Sequence, residues 1–387
     1  MKKYLLIVLL LYVWGCEDDE NVITNNCDEI VSNANEALSL WSGVLDYYMT
    51  NDEYPNDARE ICDDYFDALV NMKESNCNID LDGIENLSLA EIEDLRSTQC
   101  GILPQVSSLT FTQSTSCDPR YGASAVSHEN DIYLIGGANG QVYYNTISKL
   151  DEPNNVWTTL NDQVIGRRYL TAEVVNGIIY IIGGSNPNGF VDTVQAYDIA
   201  NDNLYDVAPL PTKRTNLNSV VYQNKIYVIG GKLENSENRT NIVEVFDPLL
   251  NSWETLSSMP TSRECDIALF DNKIYAFGGF DGSNGLTNVE VYDIANDSWS
   301  SKSEMPYDLS AYHLASFDNF IFLIGDYDDY IDGVNLYNTI DETWNTLVTN
   351  FTGRRHAAVV RNNDWIYVIG GFDGSTVFDL VEKCKPF

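Results

Sequence analysis

The feature that most constrains this chain is one apolar strand, stopped by glycine, written six times. It reads "IYLIGG" at 132–137, "IYIIGG" at 179–184, "IYVIGG" at 226–231 and again at 366–371, "IYAFGG" at 274–279 and "IFLIGD" at 321–326. The first glycines, at 136, 183, 230, 278, 325 and 370, stand 47, 47, 48, 47 and 45 residues apart. A period this regular marks a repeat architecture, in which each unit buries its apolar faces against its neighbours. Each unit reads alike. An alternating strand such as "DIALF" (266–270) turns at "DNK" into the glycine-stopped strand. A third strand follows, "NVEVYDI" at 288–294, with counterparts "TVQAYDI" at 193–199 and "NIVEVFDP" at 241–248. A fourth carries Trp157, Trp253, Trp299 or Trp344, with Leu204 once in that place. Four antiparallel strands per unit, with large aromatics to pack sheet on sheet, describe the blades of a propeller.

The double glycine, the Tyr or Phe before Asp, the spaced Trp and the Arg ahead of each inner strand resemble the kelch repeat over residues 104–387. The resemblance implies an all-β, six-bladed kelch β-propeller. Blade 5 departs most, with Gly325–Asp326 for the glycine pair and Leu309 in place of Arg. The last unit ends at "VFDLVEKCKPF", where its fourth strand is due. The segment "VSSLTF" (106–111) precedes Arg120 at the spacing by which Trp253 precedes Arg263, so it is expected to supply that strand and close the ring.

The chain has 58 acidic against 22 basic residues, a net charge of −36. That balance argues against nucleic acid, whose phosphates need clustered Lys and Arg. Lys2 and Lys3 precede the apolar run 4–14, too short to span a bilayer and fit for a secretion signal over residues 1–15. "VWGC" (13–16) resembles the lipobox of bacterial lipoproteins, which implies lipidation at Cys16 and a tether over 16–26; a cleaved signal with a chance cysteine is the simpler alternative. "EDDE" (17–20) resembles the tag that sends such lipoproteins to the outer face of the cell. The expected location is the bacterial outer membrane, held only through lipid. Eight cysteines suit an oxidising compartment.

Residues 17–103 hold 22 acids and 3 bases, half of the net charge. Their apolar spacing is helical, with stripes at Ile30, Ala34, Leu38, Trp41, Leu45 and Tyr48, then Ile61, Tyr65, Phe66, Leu69 and Met72. Ser88 and Glu91 form a capping box, with Leu87 and Ile92 as its staple. A small three-helix domain over 27–103 needs staples. Cys62 and Cys77 would lie about 22 Å apart along one helix, beyond disulfide reach. Antiparallel neighbours instead bring Cys27 to Cys77 and Cys62 to Cys100; Cys100 with Cys384 is a rival, and the pairing of Cys117, Cys265 and Cys384 stays open.

In a kelch propeller the inner strands line a channel and the loops before them form its mouth. Those loops hold Arg120, Arg167, Arg168, Lys213, Arg214, Arg263, Arg354 and Arg355. A cluster of Arg suits carboxylates, which it grips bidentately. The alternative is that each Arg bonds loop carbonyls. Just inside, alignment gives a ring of Thr171, Asn218, Asp266, His313 and, with one extra residue, His356. Two His and an Asp invite a metal, although channel histidines are common in the family. The loop "DYDDYID" (326–332) gathers Asp326, Asp328, Asp329 and Asp332 without the spacing of a known Ca²⁺ loop. A copper radical oxidase of galactose oxidase type needs two His and a Tyr crosslinked to Cys. Only His128, His313 and His356 exist, and Cys265 is the sole inner-strand cysteine. The resemblance to the six-bladed sialate mutarotase of bacterial envelopes makes Glu173 and Glu264 the candidate acid/base carboxylates.

The reading is an envelope lipoprotein whose propeller binds an anionic small molecule, an anionic glycan or an acidic protein segment, with no cofactor required. The alternatives are a sugar-acid mutarotase and a structural envelope protein.

Overall fold

The computed structural model describes residues 27–51, 58–75, 88–100, 107–234, 239–317, 319–327, 332–340 and 342–386. The signal run, Cys16, the acidic tag, Leu87, Cys77, Asp328 and Asp329 lie outside them. The chain divides into two compact units between Val106 and Ser107.

The first unit is helical, with α1 at Cys27–Asn51, α2 at Ala58–Glu74 and α3 at Leu89–Cys100. Its core takes Ala37, Trp41 and Val44 from α1, Cys62, Tyr65, Phe66 and Leu69 from α2, and Ile92 from α3. Ala34 and Trp41 of the expected α1 stripe are buried, Leu38 is partly buried against this core, and Ala37 and Val44 join it. The capping box forms in both directions. Ser88 N donates to Glu91 Oε2 at 2.8 Å, and Glu91 N donates to Ser88 Oγ at 3.3 Å. Those bonds hold the Glu91 carboxyl below its usual range. Cys62 and Cys100 are joined, their Cα atoms 5.7 Å apart, stapling α2 to α3. Cys384 is buried as a free thiol, so the rival pairing with Cys100 is not made.

The second unit is a six-bladed propeller. The inner strands are Tyr121–His128, Thr171–Val175, Asn218–Tyr222, Glu264–Phe270, His313–Phe317 and Ala358–Asn362, for blades 1 to 6. Each leads outward through antiparallel neighbours in chain order. The inner strands touch one another around a closed ring. Apolar side chains fill the gaps between blades. Between blades 2 and 3, for example, Ile182, Val194 and Ala196 pack on Leu217, Val228 and Phe246, with Trp253 beside them.

What joins the blades is backbone. The second glycine of a pair donates its N–H to the carbonyl of the residue that opens the next blade's mouth loop. Gly137 donates to Arg167 at 2.9 Å, Gly184 to Arg214 at 3.1 Å, Gly231 to Arg263 at 3.0 Å, Gly279 to Leu309 at 2.8 Å, and Gly371 to Arg120 at 2.7 Å. The first glycine must let that carbonyl in. Gly370 has φ +64°, and a Cβ there would stand 2.3 Å from Arg120 O. The repeated "GG" is therefore the hook by which one blade holds the next.

Ring closure differs from the sequence expectation. The fourth strand of blade 6 is Thr112–Ser116, antiparallel to Leu380–Cys384, with a bulge between Gln113 and Thr115. Residues 106–111 do not form it. Ser108 and Leu109 instead run parallel to Val348 and Thr349 of blade 5. The reason is burial: Leu109 and Phe111 are both 3% exposed, and Phe111 packs its ring 5.1 Å from Phe351. Residues 107–111 thus plug the junction of blades 5 and 6, and the polar segment after them pairs. A chain beginning at Ser107 is expected to melt as one cooperative propeller. A chain beginning at Cys117 leaves the ring open with an unpaired edge and should aggregate or melt far lower. Equal melting curves for the two truncations would refute this closure.

Candidate functional site

Five of the mouth arginines are parts of the blades. Arg120, Arg167, Arg214, Arg263 and Arg354 are at most 2% exposed. Each guanidinium lies back along its own blade and donates to strand carbonyls. Arg120 reaches Gly136 O at 3.0 Å, Arg167 Gly183 O at 3.1 Å, Arg214 Val228 O at 3.2 Å, Arg263 Ala276 O at 3.1 Å, and Arg354 Val368 O at 3.0 Å. A carboxylate on the third strand neutralises three of them: Glu244 for Arg214, Glu290 for Arg263 at 3.0 Å, and Glu382 for Arg354. In blade 2 the partner is Gln195, 2.8 Å from Arg167, and burial there pulls the guanidinium down to about 10. The expectation that these five grip a ligand is therefore corrected. These guanidiniums are sealed inside the blades, and none of the five lines the cavity at the mouth. Blade 5 supports this from the other side: where Leu309 replaces the Arg, Asn335 replaces the acid. Lys213, on the same loops, is ion-paired with Asp192 at 3.3 Å.

Arg168 and Arg355 remain at the mouth, half-buried. Arg168 lies over the rings of Tyr169 and Tyr121, at 4.8 and 5.2 Å, and donates to the Tyr121 hydroxyl. Arg355 lies over Tyr327 at 3.8 Å and Phe372 at 5.3 Å, and donates to Tyr327 O at 2.8 Å. Aromatic faces hold both without neutralising them.

Their ring partners Tyr169 and Tyr327 line a cavity of about 600 Å³, together with Asn216, Asn218, Lys232, Arg239, Glu264, Asp266, Phe280, Asp308, Tyr312, His313, Asp326 and His356. One irregularity shapes it. Blade 4 carries a bulge between Glu264 and Asp266, the structural counterpart of the single 48-residue interval. Bulges re-aim side chains, and here both acids line the cavity. Gly279 makes room, since a Cβ there would stand 1.9 Å from Glu264 O. Glu264 Oε1 lies 2.6 Å from Arg239 Nε. Burial raises its pKa, and Arg239 and Lys232 pull it partly back. Asp266 Oδ2 lies 3.2 Å from His313 Nδ1.

The channel ring holds Ser124, Thr171, Asn218, Asp266 and His313, but its sixth place belongs to Ala358. His356 stands two residues earlier, at φ +53°, the left-handed position also taken by Tyr169, Asn216 and Ala311 in their blades. Its ring meets Tyr169 at 4.9 Å, and burial, with His313, Arg355 and Arg168 adding, pushes it down to about 3. The two histidines thus face one cavity from different levels. Among the described residues no three His, Cys, Asp or Glu side chains gather as metal ligands. Asp326 accepts a bond from Ser310 N at 2.8 Å. Cys117, Cys265 and Cys384 are free thiols, and burial pushes Cys265 up.

Below the ring the channel continues as a cavity of about 450 Å³. Glu173 lines it and accepts from Ser219 Oγ at 2.9 Å. Burial pushes this carboxyl up to about 8, with Asp266 adding. Glu173 and Glu264 are therefore not brought together; one lies inside the channel and the other at its mouth.

Six four-stranded blades around a channel define a β-propeller. Residues 105–255 and 206–371 match the family model described as the KLHDC2/KLHL20/DRC7 Kelch-repeats domain, and the chain belongs to the kelch-repeat family. Kelch repeat and BTB domain-containing protein 2 of Cowpox virus (strain GRI-90 / Grishak) is 30% identical over 123 residues, 27% of this chain and 22% of that protein. Spermatocyte protein spe-26 of Caenorhabditis elegans is 27% identical over 35% of this chain and 24% of its own length. Kelch-like protein terF of Aspergillus terreus (strain NIH 2624 / FGSC A1156) is 27% identical over 34% of this chain and 32% of its own. The chain thus spans a third or less of these relatives. The solved structure of YjhT has the same fold, with a TM-score of 0.61 at 15% identity, covering 68% of this chain and 95% of that one.

Sequence reasoning missed Arg239, Lys232, Asp308 and Tyr169. The extra residue of blade 4 marks the bulge that carries Glu264, the partner of Arg239.

The raised Glu173 carboxyl carries a pH signature. The native state keeps a proton that the unfolded chain gives up near pH ~4.3, so stability falls as pH rises from there to about 8. Glu173→Gln is expected to flatten that fall, raising Tm over wild type near pH 8 and changing it little near pH ~4. Parallel Tm-against-pH curves would show that Glu173 is charged in the folded protein.

Proposed function

We propose that this propeller is a binding module whose channel-mouth cavity takes a hydroxylated ligand bearing an acidic group. Fold and family support a binding propeller, of the protein-binding or carbohydrate-related kind. The observation that carries the finer reading is Arg168 with Arg355. Of the seven mouth arginines these two are not sealed into blades, and both act electrostatically on Tyr169 and His356, which line the cavity. A charge-assisted bond to each is worth about 1.5–3 kcal/mol. The cavity volume of about 600 Å³ suits a one- or two-sugar ligand better than a folded partner.

A second reading, mutarotation of a sugar acid, is favoured by Glu264. Its carboxyl is raised by burial and lies 2.6 Å from Arg239, as an acid/base group beside a carboxylate-binding Arg requires.

Glucuronate is the probe, titrated by calorimetry against glucose. Arg168→Ala and Arg355→Ala are each expected to weaken glucuronate about tenfold or more at unchanged Tm. Arg263→Ala serves as contrast: it leaves Glu290 buried and unpaired and should cost about 3–5 kcal/mol of stability. Wild-type affinity in both mouth variants would place the site elsewhere. Exchange of the glucuronate anomers, followed by NMR and lost in Glu264→Gln, would favour the catalytic reading.

We also propose lipid anchoring at Cys16 on the bacterial outer membrane, supported by the Gly15–Cys16 junction after the apolar run. Cys16→Ser is expected to abolish lipid labelling and release the protein from membranes. A mutant that stays membrane-bound, beside a wild type that takes no lipid, would refute it.

A further inference from the structure

The charges that line the cavity or act on its walls are sorted by blade. Among the described residues, the cations come from blades 6, 2 and 3: Arg355, Arg168, and Lys232 with Arg239. The carboxylates that line the cavity come from blades 4 and 5: Glu264 and Asp266, then Asp308 and Asp326. The Arg239–Glu264 pair marks the seam between the halves. Two departures from the repeat produce this. The bulge of blade 4 brings two acids inward. Blade 5 exchanges the framework Arg for Leu309, next to Asp308, whose carboxylate lies at the cavity wall against Gly285. The five framework arginines do not disturb the pattern, because their charge is sealed inside the blades.

A purely anionic ligand would be attracted by one half of this mouth and repelled by the other. We propose that the cavity takes a zwitterionic sugar, a saccharide unit carrying both an acidic group and a free amine. The acid faces Arg168 and Arg355, and the protonated amine faces Asp308. This rests on the reading of the mouth as an acid-binding site and narrows its ligand class. Opposed charges fix the ligand's orientation, because turning it end for end sets each charge against its like. Between the charged halves, Tyr169, Phe280 and Tyr312 supply apolar faces for the ring, and Asn216 and Asn218 supply amides for its hydroxyls.

Three probes separate the charges: muramic acid carries both, N-acetylmuramic acid only the acid, and glucosamine only the amine. Calorimetry on the full chain, in mildly acidic buffer that keeps the amine protonated, is expected to find muramic acid bound about tenfold tighter than N-acetylmuramic acid. Asp308→Asn should remove that difference while leaving N-acetylmuramic acid bound no more weakly than before. Arg168→Ala should weaken both acids and leave glucosamine bound no more weakly than before. N-acetylmuramic acid binding as tightly as muramic acid, or a preference that survives Asp308→Asn, would overturn the zwitterion while the acid-binding reading stands. No affinity for either acid would overturn both.

Discussion

The propeller depends on one repeated hydrogen bond, made in five of the blades from the second glycine to the carbonyl at the start of the next blade's mouth loop. Apolar packing between blades is large but tolerant of rotation and slip. The glycine hook is directional, and it sets where each mouth loop begins. It uses only backbone atoms on the accepting side, so it survives at blade 5, where Leu309 stands in place of Arg. The same geometry explains why the side chain at that place is usually Arg. Its carbonyl is turned to the previous blade, and its guanidinium lies back along its own, where strand carbonyls and a third-strand acid await it.

That framework consumes most of the basic residues near the channel and leaves a site defined by exceptions. A strict sixfold repeat would give a ring of identical groups with no way to orient an asymmetric ligand. The bulge of blade 4, the missing Arg of blade 5 and the paired arginines of blades 2 and 6 each break the symmetry at one place. The stable parts of the molecule are those that follow the repeat, and the chemically distinctive parts are those that depart from it. Bulges and unusual backbone conformations are tolerated where neighbouring blades over-determine the fold.

The fold was legible because its cause is periodic. Glycine pairs, aromatic strands and turn residues recur in step, and a propeller is the sum of such units. The capping box at Ser88 and Glu91 was legible for a similar reason, being set by helix geometry over one turn, whereas the sequence left Cys100 two partners and the tertiary structure chose Cys62. The closing strand was not. Spacing alone cannot tell which of two neighbouring segments pairs, and the burial of Leu109 and Phe111 decided it.

For the candidate site, the sequence by itself placed seven arginines, two histidines, Glu264 and Asp266 in mouth loops or inner strands, and it did not single out Tyr169, Lys232, Arg239 or Asp308. Only the tertiary structure decided which of them face the cavity. Arg167 and Arg168 are neighbours in the chain, yet one is sealed against Gln195 and strand carbonyls while the other lies over tyrosine rings at the mouth. His356 aligns with His313 once one extra residue is allowed, yet it stands two residues before the equivalent place, on a left-handed turn, and the two face the cavity from different levels. The physical reason is that successive side chains of a loop or strand point in different directions. A position in the repeat fixes where the backbone runs, whereas desolvation and the partners supplied by distant strands fix where each charge comes to rest.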